Sequence, residues 1–239
     1  MAMDDATSSN PPRQRQIWPG AILGAIAHAV FTCRCPDLSH EQSWDGANYH
    51  VQDSAGSRGT IAFSDDSFVG LFFCETSNRN PFRLGTDHDP AQILVGIPVR
   101  LQTLAREECF PYLLQDLNGK KVPVATAAFW GDGMNERVAT AEPWDEVFQH
   151  GAWLVRRQCL DTDAALSAWI EDFELEPWEV ELVRSLFARK AASPGDRLEL
   201  NQMERKLWDR MNPTEDGLEA GRESFAEMGI MVPRPEECK

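Results

Sequence analysis

Apolar and polar positions follow two rhythms along the chain. Between Ala47 and Glu75 the period is two: Tyr49 and Val51 alternate with polar neighbours, as do Ile61 and Phe63 with Thr60 and Ser64, the mark of half-buried strands. Turn residues at Ser54 to Gly59 and at Asp65-Asp66-Ser67 separate these runs. The third run, Phe68 to Cys74, is apolar on both faces and predicts a central strand covered on both sides. Val122 to Trp130 reads as a fourth strand, entered from the Asn118-Gly119 turn and closed by Gly131-Asp132-Gly133.

From Pro143 onward the period becomes 3.6. Trp144, Val147, Phe148, Leu154 and Val155 form one stripe, and Leu166, Trp169, Ile170 and Phe173 a second. Trp178, Leu182, Val183, Leu186 and Phe187 form a third, Leu200, Met203, Leu207, Trp208 and Met211 a fourth, and a last helix is expected over Thr214 to Met228. Helix starts are expected near Pro177 and at Ser193 to Asp196, where an acid follows a serine by three residues. In the first half a buried helix is expected over about Gly20 to Thr32, with Gly20 and Gly24 spaced for close approach of another element. A second should begin at Pro90 with Asp89 as its cap, carry Ile93, Leu94, Ile97, Leu101 and Leu104, and be divided by Pro98.

These rhythms predict an α+β protein: an N-terminal half with a small antiparallel β-meander of about four strands plus helices, and a C-terminal half that is mostly α-helical. The expected organisation is a disordered arm over 1–16, an α+β region over 17–140, a helical region over 141–232 packed with the first as one globular unit, and a flexible tail over 233–239. The apolar run from Ile17 to Cys33 contains Pro19 and His28 and falls short of a spanning helix, so no membrane partner is expected. Six cysteines scattered over 239 residues read as reduced thiols of a cytoplasmic protein rather than as a disulfide framework.

Charge changes the functional picture. The chain carries 38 Asp plus Glu against 23 Lys plus Arg, a net charge of -15, which argues against nucleic acid as a partner. Residues 1–120 hold 14 acids against 9 bases, and residues 121–239 hold 24 against 14. No Lys or Arg interrupts the stretch from Asp161 to Val183, where Asp172, Glu174, Glu176 and Glu179 surround Trp178. Such a face can steer a basic protein and anchor it on a ring.

Other groupings are candidates for chemistry. Cys33 and Cys35, with His28 and His40 each five residues away, offer zinc-type donors, but Cys-x-Cys is not a usual finger spacing and no second cysteine pair follows; neither metal nor cofactor is expected. His88 lies between Asp87 and Asp89, and His50 follows Asp45, pairings in which a carboxylate can orient an imidazole as a general base. Trp44, Arg79 and Arg83 sit in loops flanking the meander, where an aromatic ring and guanidinium groups suit a bound anion or an interface. Hydrolase, metalloprotease and nucleotide-loop signatures are missing.

Two functions remain. The favoured one is a non-enzymatic binding protein, an inhibitor, immunity-type antidote or adaptor, that uses its acidic helical face on a basic protein partner. The likeness to immunity proteins is one of composition only. The alternative is a hydrolase-like enzyme with a His/Asp pocket between the meander and the helix after Pro90. Mimicry of DNA is disfavoured by the tryptophans on the same helices.

Overall fold

The computed structural model describes residues 10–84, 92–117, 119–211 and 213–233. The fold is α+β, with an antiparallel meander after the first helix and a mostly helical second half. In chain order the main elements are α1 (Gln14–Thr32), β1 (Gln42–Asp45), β2 (Asn48–Gln52), β3 (Arg58–Ser64), β4 (Ser67–Phe73), α2 (Pro81–Leu84), α3 (Val99–Leu104), β5 (Leu114–Leu117), β6 (Lys120–Pro123), β7 (Ala127–Gly131), α4 (Trp144–Gln149), α5 (Thr162–Asp172), α6 (Pro177–Ala192), β8 (Leu198–Glu199), α7 (Gln202–Trp208), α8 (Glu215–Glu227) and β9 (Ile230–Met231).

The chain divides into two compact units, and not at the boundary expected near residue 140. Of the described residues, the first holds those up to Arg15 and those from Ala47 to Arg156; the second holds those from Gln16 to Gly46 and those from Arg157 onward. The division follows α1, which buries residues around nearly its whole circumference. A helix apolar on all sides must be enclosed by other parts of the protein.

In the first unit β2, β3, β4 and β7 pair antiparallel in that order, with Tyr49 opposite Ile61, Ile61 opposite Gly70, and Gly70 opposite Phe129. Every residue of β4 is buried, as its unbroken apolar run predicts. One sheet face carries Ala62, Val69, Leu71, Phe73, Ala128 and Trp130, which form a core with Leu94, Ile97, Leu101, Ala105, Cys109 and Leu113 from the segment after residue 91. On the other face aromatic rings lie over glycines of neighbouring strands. A Cβ on Gly59 would stand 2.2 Å from the Phe72 ring, and one on Gly131 would stand 2.4 Å from that of Phe68. Those strand glycines make room for the rings.

Three expectations change in this unit. Val122 to Trp130 is two strands rather than one, because Thr126 leaves the first pairing and bonds its N–H to the Phe72 carbonyl at 2.7 Å. The segment after residue 91 is a series of short turns, with Pro98 ahead of α3 and a wide π turn at Ala105–Cys109. The arm expected over 1–16 is ordered where it is described: Val138 donates to Pro12, Gln14 donates its N–H to Glu136, and α1 starts there. The proposed cap Asp89 and the start at Pro90 lie outside the described residues.

In the second unit close approach between helices depends on four glycines. A Cβ at Gly20 would fall 2.0 Å from the backbone oxygen of Gln158, and one at Gly24 would be 3.0 Å from the Trp169 ring. A second pair with the same spacing, Gly217 and Gly221 on α8, admits the end of α1, where added Cβ atoms would meet the Cys33 oxygen at 2.1 Å and its sulfur at 2.3 Å. The helices are capped locally. Asp161 accepts from Ala164 at 3.0 Å to start α5, Thr214 caps α8, and reciprocal capping boxes open α6 with Glu176 and Glu179 and α7 with Asn201 and Glu204. Ser193 is not a helix start. It closes α6, and the following helix waits for Asn201, whose side chain accepts from both Met203 and Glu204. Trp44, expected in a loop, lies on a strand, Gln42–Asp45.

Candidate functional site

The acidic stretch of the second unit runs through α5, the junction after it and the start of α6. Asp161, Asp163, Glu171, Asp172, Glu174, Glu176 and Glu181 are exposed. Asp172 pairs with Arg157, whose guanidinium also lies over the Trp169 ring at 4.8 Å. The other six carboxylates form no ion pair among the described residues. Glu174 takes a left-handed conformation, φ 48°, two residues beyond the end of α5, just after the cap residue Phe173. This position usually falls to glycine or asparagine, and here it turns the chain so that the acids of both helices gather at the junction.

Beneath them is an aromatic column. Phe173 stacks on Phe31 at 4.4 Å and on Trp169 at 4.9 Å, and Arg34 donates to the Phe173 carbonyl at 2.8 Å. Trp178 is half-buried under the guanidinium of Arg210 at 5.2 Å. Glu179 differs from its acidic neighbours. It is 1% exposed, accepts from the Glu176 N–H at 2.8 Å and pairs with Arg34 at 3.4 Å, so it caps α6 and does not face a partner. The helical period places it inward, a distinction that the charge run alone conceals.

The loop candidates are already engaged. Arg79, a candidate for a bound anion, donates to the Glu142 carboxylate at 2.5 Å, to Glu146 at 3.0 Å and to the Thr126 carbonyl at 3.2 Å. Arg83 donates to the Thr76 carbonyl at 2.8 Å and stays exposed. Trp44, in the second unit, is buried, and its N–H donates to Glu227 at 2.9 Å.

Around Arg79 the structure assembles a relay that the sequence reading missed. Ser77 Oγ contacts His150 Nδ1 at 2.9 Å, His150 Nε2 lies 3.3 Å from Glu146, and the Arg79 N–H donates to Ser77 Oγ at 3.0 Å. Its one local signal is the four-residue spacing of Glu146 and His150 on a helix end. Burial, followed by the nearby Arg79 charge, lowers the pKa of His150. The neutral ring accepts from Ser77 and donates to Glu146. Ser77 is only 4% exposed, so the set ties the loop after β4 to α4 without presenting a nucleophile.

His50 stacks on Tyr112 at 4.1 Å. Asp87, His88 and Asp89 lie outside the described residues. The metal candidates serve separate local roles: His28 Nε2 contacts the Leu38 carbonyl at 3.1 Å, the Cys33 thiol donates to Ala29 at 3.4 Å, Cys35 precedes a short helical turn, and His40 lies within that turn. Among the described residues no group of three or more His, Cys, Asp or Glu side chains is placed to hold a metal ion.

One cleft, of about 580 Å³, opens in the first unit between the β3–β4 turn, α3 and the loop after β7. Among the described residues no helix is long and apolar enough to cross a membrane. Compared with protein-family models, curated proteins and solved structures, the chain has no match. The class that can be stated is therefore that of the fold, an α+β protein with an antiparallel sheet and a helical C-terminal region.

Proposed function

We propose that this protein is a non-enzymatic binding protein, of inhibitor, immunity-type or adaptor character, whose acidic α5–α6 junction receives a basic protein partner in the cytoplasm. The observation that carries this reading is the set of six exposed carboxylates, Asp161, Asp163, Glu171, Glu174, Glu176 and Glu181, that form no ion pair among the described residues. Carboxylates left in water keep their field available to an approaching cation, and clustering raises the encounter rate with a basic surface. Phe31 and Phe173, half-buried beside the acids, supply apolar contact once the partner has arrived.

The test uses the full chain and a variant carrying Asp163→Asn, Glu171→Gln, Glu174→Gln, Glu176→Gln and Glu181→Gln, which spares the Asp161 cap and Glu179. Proteins captured by the wild type are identified, and association rates are measured at about 50 mM and about 500 mM salt. The expected result is a basic partner whose association slows about tenfold or more in the variant and in high salt. A partner that binds both chains at equal rates in both salts would refute the assignment of this face.

A further inference from the structure

The cleft of the first unit combines three kinds of wall. Asp65 and Asp66, on the β3–β4 turn, are exposed and make no hydrogen bond or ion pair with any described residue. Asp132 on the opposite side is ionised, because the N–H groups of Met134 and Asn135 bond its carboxylate and hold its pKa below the usual carboxylate range against a smaller opposing effect of burial. Arg100 donates to the Asp132 backbone oxygen at 2.6 Å. Three aspartates against one arginine leave the lining anionic. Between these polar walls lie Leu101, buried, and Leu104, partly buried, while Met134 stands 88% exposed at the rim.

A volume of about 580 Å³ suits a small organic ligand. An anion would face net repulsion. A wholly apolar guest would strip water from Asp65 and Asp66 without replacing it. A cationic head on an aliphatic stem satisfies both halves: the head takes Asp65 and Asp66, the stem covers the partly exposed Leu104 and Pro98, and the flexible thioether of Met134 can close over it. We propose that this cleft binds a small aliphatic amine in its ammonium form. The site lies in the other compact unit from the acidic helices and does not depend on their partner.

The experiment is an NMR titration of the full chain with cadaverine, with pentanediol as the uncharged counterpart and Nα-acetyl-lysine methylamide as a polypeptide lysine. Cadaverine is expected to give saturable shifts at the amides of Ser64 to Ser67 and of Gly133 and Met134. Asp65→Asn with Asp66→Asn should weaken it roughly tenfold or more, each lost ion pair being a factor of up to about five. Asparagine tolerates the left-handed backbone of Asp65, φ 48°, so the turn is kept. The single exposed change Asp66→Asn, expected to weaken binding a few-fold, serves if the double variant does not fold. Equal shifts from pentanediol, unchanged cadaverine affinity in the folded variant, or shifts elsewhere would overturn the site. Binding of the lysine derivative tenfold tighter than cadaverine would overturn the small amine in favour of a lysine on a protein.

Discussion

His28 offers the sharpest test of how the second unit is held together. It is 1% exposed in α1, and its Nε2–H donates to the Leu38 carbonyl at 3.1 Å. Burial lowers its pKa from 6.5 to about 4; the hydrogen bond to Leu38 opposes that shift, and His40 adds slightly to it. The folded protein therefore keeps the ring neutral at pH values where an unfolded chain takes up a proton. Above pH 6.5 both states are neutral and stability is insensitive to this group. As pH falls from 6.5 toward 4 the unfolded state binds the proton first, and stability is lost. Linkage with these two values gives about 2 kcal/mol lost between about pH 7 and pH 5 and about 3 kcal/mol by pH 4. Urea unfolding followed by tryptophan fluorescence at several pH values, on wild type and on His28→Gln, isolates this contribution. Glutamine keeps a donor for Leu38 but does not titrate. His150, also lowered by burial, remains in both proteins, as does Glu227, whose carboxyl is raised by burial and acts in the opposite sense. The variant should lose about 2 kcal/mol less than wild type on going to pH 5. Parallel pH curves would refute the account of a neutral, enclosed ring.

Three further outcomes follow from the packing. Glu204 is fully buried and accepts from Ser185 at 2.6 Å, from Asn201 at 2.8 Å and from Arg189, so Glu204→Ala should cost about 3 kcal/mol through the lost cap and charged hydrogen bonds, measured by chemical denaturation; a loss below about 0.5 kcal/mol contradicts this. Gly221→Ala drives a methyl group against the Cys33 sulfur and Gly20→Ala drives one against the Gln158 backbone, each expected to cost about 1 to 3 kcal/mol and to lower the thermal midpoint, whereas Gly195→Ala, in open space, serves as the neutral control. Ser77→Ala removes the partner of a buried imidazole and should cost about 1 to 3 kcal/mol, with faster hydrogen exchange in the loop after β4; unchanged exchange would show that the relay does not hold that loop.

The strand and helix rhythms were legible because each depends on which side of an element meets water. Alternation marked β2, the unbroken apolar run marked β4 as doubly covered, and the 3.6 period located α5 and α6, whereas β3, read as half-buried, is covered on both faces from Gly59 to Ala62 because it lies between β2 and β4, with Thr60 fully buried. Gly20 and Gly24 announced a close neighbour, but which one approached could not be read from α1 alone: it is Gln158 and Trp169, more than 130 residues downstream. The charge run was visible too, and it merged Glu179 with its neighbours although Glu179 faces inward.

The sequence alone determined the α+β class, the covered strand, the helix succession and the acidic stretch, because local periodicity and composition encode burial one element at a time. Tertiary structure decided the partners. It placed α1 with the helices of the second unit, joined Arg79 to Glu142 and Glu146, put Ser77 against His150, and brought Asp65 and Asp66 to one cleft with Asp132. Each of these depends on residues far apart in the chain reaching hydrogen-bonding or packing distance, a relation set by how whole elements fill shared space and carried by no local pattern.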